Sequence, residues 1–177
     1  MKKYVDGEIG IYLRPMTEQD TDNIIAWRNR EDVRRNFIYR EPFTRAGHEN
    51  WIKTMIQTGR AVQMIICDLS SEQPLGSVYI RDVDRVHNKA EYGMFIGVPE
   101  ARGRGIGTAS VRLMLRYCFE EAGLHRVYMR VLAENRQSFR SCEKGGFVQE
   151  GYLRDDVCID GEYHDIIWMA AVKHDIT

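Results

Sequence analysis

Residues 98–109 read VPEARGRGIGTA, and they separate a strand-like run from a helix-like run. Gly103, Gly105 and Gly107 alternate with other residues at this junction. Glycine permits a positive φ and lets a ligand approach the backbone. The first turn of a helix presents unpaired N–H groups at the positive end of its dipole. The stretch therefore predicts either a phosphate-binding loop, to which Arg102 and Arg104 add charge, or a tight connection that binds nothing.

The glycine spacing excludes two common nucleotide-binding loops. It is G-x-G-x-G and not the dinucleotide pattern G-x-G-x-x-G, and no acidic ribose ligand stands roughly 20 residues further on, around Tyr128 to Val131. No Gly-Lys-Ser/Thr follows, so the triphosphate-binding loop is absent as well. Counted from Arg102, the pattern is R-x-x-G-x-G.

The composition is that of one ordinary globular domain, which we place at residues 1–177. The chain is 44% hydrophobic and 29% charged, with a formal net charge of -1. This balance gives no overall attraction to nucleic acid or to an anionic membrane, and we expect neither as a partner. No apolar run reaches the roughly 20 residues that a bilayer span requires.

The cysteines and the first residues point to the cytoplasm. The four cysteines are widely separated and include no C-x-x-C pair, so we expect reduced thiols and no metal site. Lys2 and Lys3 are followed by Tyr4-Val5-Asp6-Gly7-Glu8, which is not the apolar core of a secretory signal.

Apolar periodicity predicts the element order β-α-α-β-β-β-α-β-α-β-β. The predicted strands are 9–15, 61–67, 75–83, 89–97, 126–132, 147–153 and 162–172, and the predicted helices are 17–29, 44–58, 106–122 and 135–144. Asp160-Gly161 indicates a hairpin between the last two strands. Helices placed among strands and hairpins indicate a layered α/β domain with a mixed, mostly antiparallel sheet.

A second motif follows the strand at 126–132. It reads N-x-x-S from Asn135 to Ser138, and then E-K-x-G-F from Glu143 to Phe147. Together with the glycine loop, in this order and at this separation, it resembles the GNAT superfamily of N-acetyltransferases over nearly the whole chain. The stretches 27–29, 90–93 and 160–165 look most like the RimJ/RimL-like branch, whose members acetylate protein N-termini, polyamines and amino sugars.

The resemblance implies a GNAT-like fold, with helices flanking a sheet that splays at its centre between the strands 89–97 and 126–132. Acetyl-CoA would be the cosubstrate and would lie in this opening. Its pyrophosphate would sit on the N–H groups of seven consecutive residues: Arg102, Gly103, Arg104, Gly105, Ile106, Gly107 and Thr108. Its pantetheine arm would pair like an extra strand with the backbone of Phe95, Ile96 and Gly97, and it would contact Asn135. Ser138 either contacts the arm too or is an ordinary residue of the first helical turn.

The chemistry implied is attack of a neutral amine on a thioester, which requires the amine to lose a proton. Glu91 is the candidate base; alternatively, it is a structural carboxylate bonded to backbone or to an arginine. Many GNAT enzymes carry a tyrosine, proposed as the acid, where this chain has Cys142. Cys142 is either a weak substitute or a small buried helix residue, and Tyr128 or Tyr152 are other candidates for the acid.

The acceptor remains open between a small amine or amino sugar and a protein N-terminus. Acidic residues near the expected site either suit a cationic amine or are solvated turn residues: Glu41, Asp155, Asp156, Asp160, Glu162 and Asp165. A sugar nucleotide would need basic residues, for which Arg28, Arg30, Arg34 and Arg35 are available. Trp27 is expected to be packed in the core. His48 is either a group on the substrate side or, as we expect, a packed and hydrogen-bonded core residue.

Two other functions compete with acetyl transfer. A non-catalytic acyl-CoA-binding module would keep the loop without the chemistry, and a nucleotide-binding protein is the more distant possibility. The oligomeric state is open, although the family often forms homodimers.

Overall fold

The computed structural model describes residues 4–175, so the first three residues, with Lys2 and Lys3, and the last two of the predicted domain lie outside it. One eight-stranded sheet has the order β1-β2-β3-β4-β5-β6-β8-β7. Its strands are β1 (Tyr4–Asp6), β2 (Ile11–Pro15), β3 (Val62–Asp68), β4 (Pro74–Asp84), β5 (Lys89–Ile96), β6 (Arg126–Leu132), β7 (Val148–Ile159) and β8 (Glu162–Val172).

Strands β5 and β6 form the one parallel pair within the described sheet, and they pair only briefly. Lys89, Ala90 and Glu91 of β5 face Arg126, Val127 and Tyr128 of β6, and beyond this point the strands part. Every other neighbouring pair is antiparallel. The predicted mixed sheet, splayed at its centre, is therefore confirmed.

Helices cover both faces of the sheet. They are α1 (Thr21–Asn29), α2 (Glu31–Arg34), α3 (Arg45–Trp51), α4 (Ile106–Glu120) and α5 (Arg136–Gly145), and α3 continues into a π-helical turn at Ile52–Ile56. The larger core packs the buried stripe of α4 against the sheet. A smaller core joins α1 and α2 to the other face through Ile24, Trp27, Val33 and Phe95, which confirms core packing for Trp27.

The described structure corrects three parts of the predicted element order. β1 and α2 were not predicted, because three or four residues are too few to show a period. β7 runs to Ile159 and not to 153, and as an edge strand it is mostly exposed, so its apolar alternation is weak.

No helix in residues 4–175 combines the length and the apolar character needed to cross a membrane.

Candidate active site

The glycine loop turns the chain from β5 into α4. A 3₁₀ turn at Pro99–Ala101 is followed by Gly103 with φ +75° and Gly105 with φ +80°, and Gly105 is the N-cap of α4. Only glycine takes these left-handed conformations without strain, so two of the three alternating glycines are required by the backbone itself.

The loop presents a row of unpaired N–H groups. The first bond of α4 runs from Ala109 N to Gly105 O at 3.0 Å, so the N–H groups of Ile106, Gly107 and Thr108 have no acceptor within the helix. Arg102 N, in contrast, donates to Pro99 O at 3.0 Å. The predicted row therefore begins after Arg102, which corrects the prediction for that residue's N–H.

The Arg102 side chain is not a free cation. Its Nη1 lies 2.6 Å from Asp32 Oδ2 and its Nη2 donates to Ile96 O at 3.0 Å. Arg30 binds the same carboxylate at 3.0 Å, and these two guanidinium groups hold the pKa of Asp32 well below its usual range. Arg102 thus ties the loop to α2 and β5, and the charge predicted for a phosphate is already paired.

A cavity of about 910 Å³ opens where β5 and β6 part. This is within the range of small-molecule sites, roughly 300–1,000 Å³. Eleven predicted site residues line it: Glu91, Phe95, Ile96, Arg102, Gly103, Gly105, Ile106, Gly107, Thr108, Asn135 and Ser138.

Gly97 and Arg104 are outside the described lining of this cavity. Arg104 is exposed. The N–H of Gly97 donates to Leu75 O at 2.9 Å, and a Cβ at this position would lie 2.2 Å from the Trp27 ring. The glycine therefore serves the packing of Trp27 against the sheet, and its N–H is engaged, while the predicted backbone contact of Gly97 with a cofactor stays a prediction.

Asn135 and Ser138 form the N-terminus of α5 beside the cavity. Asn135 Oδ1 accepts from Ser138 N at 3.1 Å, which confirms Asn135 as the N-cap. Within the described residues Nδ2 of Asn135 has no hydrogen-bond partner, so the amide keeps a donor for a ligand in the cavity.

Glu91 lies at the point where β5 and β6 separate, and both of its oxygens are engaged. Oε2 accepts from Arg81 Nη2 at 3.1 Å, and Oε1 accepts from Arg130 Nε at 3.2 Å. Arg81 is the register partner of Glu91 on β4. These ion pairs support the structural alternative for Glu91, while its role as a base stays a prediction.

The part of the cavity under α1 and α3 has aromatic walls, of which the sequence predicted Phe95 as a site residue but not Trp51 or Tyr79. They are Phe37, Phe43, Trp51, Tyr79 and Phe95. Trp51 Nε1 donates to Gln63 Oε1 at 3.0 Å, so the indole is fixed. The aromatic residues in the segment before α3 were the signal that the sequence offered for this chamber. Only the tertiary structure shows that the segment lies over β4 and β5. One cavity thus joins the glycine loop, with its unpaired N–H groups, to an aromatic chamber.

Comparison with known proteins identifies the family. The model of the acetyltransferase (GNAT) domain matches residues 11–148. The chain belongs to the GNAT acetyltransferase family. The resemblance stated from the sequence is confirmed.

Relatives and solved structures agree with this GNAT assignment. YdaF of Bacillus subtilis, a putative ribosomal N-acetyltransferase, is 35% identical over 100 residues, which span 56% of this chain and only 54% of YdaF. Spermidine N(1)-acetyltransferase of Escherichia coli K12 is 26% identical over 164 residues, 93% of this chain and 87% of that protein. The crystal structure of spermidine N-acetyltransferase from Vibrio cholerae with CoA and spermine has the same fold, with a TM-score of 0.86, 24% identity and coverage of 94% and 98%.

The position of the GNAT tyrosine is closed to the cavity. Cys142 is fully buried, and burial raises the pKa of its thiol to about 12. Tyr128 stacks on Trp168 at 5.3 Å, and Tyr152 donates to Asp165. None of these three residues is in the described lining of the GNAT cavity.

The predicted acidic residues do not surround the large cavity. Asp155, Asp156, Asp160 and Glu162 are exposed along the β7–β8 hairpin, as solvated turn residues are. Within the described residues only Glu41 and Asp160 of the predicted set line a neighbouring cavity of about 420 Å³.

His48 is buried against Phe43, with ring centroids 5.7 Å apart. Neither ring nitrogen has a hydrogen-bond partner among the described residues, so the expected packing is confirmed and the expected hydrogen bonding is wrong. The side chains of residues 4–174 also bring together no cluster of three His, Cys, Asp or Glu suited to a metal ion.

Proposed function

We propose that this GNAT domain transfers the acetyl group of acetyl-CoA to a primary amine by direct attack in a ternary complex. One observation carries the proposal: the unpaired N–H row of the glycine loop and the aromatic chamber open into one cavity. A cofactor and an acceptor can therefore meet there. The CoA and spermine bound to the Vibrio cholerae protein support this proposal.

We place the pyrophosphate on the N–H groups from Gly103 to Thr108. The pantetheine arm then follows Phe95 and Ile96 on the side of β5 that β6 leaves unpaired, and it reaches Asn135 and Ser138 at α5. Backbone donors cost no side-chain ordering, which suits a loop that must bind a flexible dianion.

The acceptor amine must be neutral to attack the thioester. An alkylamine has a pKa near that of lysine, about 10.4, so it carries a proton at neutral pH. Glu91 is the predicted base, directly or through water. Its two arginine partners support a second role, in which it positions Arg81 and Arg130 at the reaction centre. The thiolate of CoA is a good leaving group and needs no acid in place of the family's tyrosine.

A small amine or amino sugar fits this cavity better than a protein N-terminus, because its volume of about 910 Å³ must hold the cofactor as well as the acceptor. We place the protein in the cytoplasm, since Cys67, Cys118, Cys142 and Cys158 are free thiols.

A homodimer is supported by the exposed apolar residues of the edge strand β7, with Val148 58% and Tyr152 50% exposed.

Thermal unfolding with acetyl-CoA, ATP and a dinucleotide tests the cofactor. A ligand at about 100 times its Kd adds roughly 2.7 kcal/mol, or about 5–10 °C in Tm for a domain of this size. Only acetyl-CoA should produce this shift. Amine-dependent release of CoA thiol then tests the chemistry. A shift without any thiol release would assign a non-catalytic acyl-CoA-binding module, and a shift with ATP would assign a nucleotide-binding protein.

A further inference from the structure

We propose that the acceptor is an amine whose own molecule carries an anionic group, a carboxylate or a phosphate, and that Arg28 binds this group. The inference rests on the proposed function, since it names the acceptor class of the same cavity. It separates this chain from relatives named for spermidine, which has no anionic group.

Arg28 is a cavity-lining cation without a counter-ion. It stands in the last turn of α1, and its Nη1 is buried with no hydrogen-bond partner among the described residues. No carboxylate among the described side chains, residues 4–174, forms a salt bridge with it. Burial lowers the pKa of its guanidinium, but arginine stays charged at physiological pH. A buried charge is costly unless it is paired.

The surroundings of Arg28 hold the guanidinium in place without neutralising it. Its Cζ lies 3.4 Å from the centroid of the Phe37 ring, 5.3 Å from that of Phe43 and 5.9 Å from that of Phe95. Stacking on aromatic faces fixes the plane of the fork. A fixed, partly buried guanidinium is suited to a carboxylate or a phosphate, which it binds through two parallel hydrogen bonds.

The acids that line the cavity cannot supply the missing partner. Asp32 is bound by Arg30 and Arg102, and Glu91 by Arg81 and Arg130. The described lining contains eight basic side chains against these two acids: Arg28, Arg35, Arg81, Arg102, Arg130, Arg136, Arg140 and Lys144. Arg102, Arg136, Arg140 and Lys144 lie on the loop and on α5, where we place the anionic cofactor, and Arg81 and Arg130 are paired with Glu91, so Arg28 is the buried cation left for the acceptor.

The other arginines that the sequence offered for phosphate binding are paired or exposed. Arg30 pairs with Asp32, Arg34 lies 3.8 Å from Glu31, and Arg35 is exposed at the rim of the cavity. Arg28 alone among these four combines burial of a guanidinium nitrogen with the absence of a described partner.

Matched pairs of amines test the inference by binding to the CoA-loaded protein, which needs no turnover. β-Alanine against its amide tests a carboxylate, O-phosphoethanolamine against ethanolamine tests a phosphate, and spermidine serves as the polycation. We expect the anionic member of at least one pair to bind about tenfold or more tighter than its neutral partner, since hydrogen bonds to charged groups are worth this much. Whichever pair shows the difference identifies the anion.

Arg28→Gln should abolish that difference and leave the neutral amines within about twofold, because only the charge-assisted bonds are lost. Arg35→Gln, which removes a charge from the exposed rim, should preserve the difference. If Arg28→Gln does not fold, Arg28→Lys, which keeps the charge without the planar fork, should reduce the difference. Equal binding within both pairs, tighter binding of spermidine, or equal weakening of both members by Arg28→Gln would overturn the inference.

The failure of this inference and that of acetyl transfer have different signatures. Anion-selective binding without CoA release from any amine would leave the Arg28 site standing and refute the transferase. CoA release from neutral amines or spermidine, with no selective effect of Arg28→Gln, would support the transferase and refute the Arg28 site.

Discussion

Arg102 in the glycine loop donates to Asp32 on α2 across 2.6 Å, although 70 positions separate them in the chain. The same guanidinium also holds the carbonyl of Ile96 at the end of β5. The loop that we propose for the cofactor is therefore fastened to a helix beside the acceptor chamber. This ion pair therefore connects the proposed cofactor half of the cavity to α2 in the acceptor half.

Asp32→Asn should weaken acetyl-CoA binding while the fold persists. The charge-assisted bond to Arg102 is lost, and for a partly exposed pair we expect about a two- to tenfold rise in the KM for acetyl-CoA. Initial rates at saturating amine measure this. Glu31→Gln is the matched control, because its pair with Arg34 spans 3.8 Å and Glu31 is 80% exposed. An unchanged KM in Asp32→Asn would show that the pair does not hold the loop.

Glu91→Gln decides between the two roles of this carboxylate. Because Arg81 and Arg130 occupy both oxygens, we expect a lower Tm and a reduced kcat, with the shape of the pH–rate profile retained. A general base contributes about 10²–10⁴-fold, and its loss removes the acidic limb of the profile. A fall of that size together with a lost acidic limb would instead assign proton abstraction to Glu91.

Gly97→Ala should destabilise the domain, because the new methyl group would lie 2.2 Å from the Trp27 ring. Overpacking of this kind costs about 1–3 kcal/mol, which corresponds to a fall of about 3–10 °C in Tm. Gly7→Ala has open space around its Cβ and should leave Tm within about 1 °C. A Tm equal to that of the parent in Gly97→Ala would mean that Trp27 does not pack on this backbone.

His48 should make the domain less stable in mild acid. Burial, assisted by Arg45, lowers the pKa of His48 below its ordinary 6.5, so the unfolded chain binds the proton more readily. Stability is therefore fully present above about pH 6.5 and falls as the pH drops towards the folded-state pKa. Tm measured from pH 7.5 to 5 should fall less steeply in His48→Gln. His87→Gln, at an exposed position, should keep the parent slope; equal slopes in all three proteins would contradict the prediction.

The sequence predicted those parts of the fold in which local chemistry determines the backbone. β6 and β8 have the predicted bounds because their apolar runs end at clear turn signals. Asp160 and Gly161 both take positive φ, 53° and 85°, as the hairpin signal requires. The geometry of the glycine loop could likewise be predicted, because alternating glycines indicate the positive φ values that Gly103 and Gly105 take.

What the sequence did not show depends on register and on contacts between distant segments. Arg81 meets Glu91 through the β4–β5 register, whereas Arg130 reaches it only because β6 lies parallel to β5. The unpaired state of Arg28 depends on where every carboxylate of the fold lies, so no local pattern reveals it. Gly97 is similar, since its need for a small side chain arises from Trp27, which is far away in sequence.

The short β5–β6 pairing has a consequence for how the protein folds and unfolds. β1 to β5 are spatial neighbours in chain order, and β6 to β8 form a second antiparallel group that meets them along only three residue pairs. Side chains from both groups share one core with α4, but the two groups have few backbone hydrogen bonds in common. A cofactor arm laid along β5 would add backbone bonds that the two strands do not make to each other, so a bound cofactor should raise the free energy needed to separate the two groups.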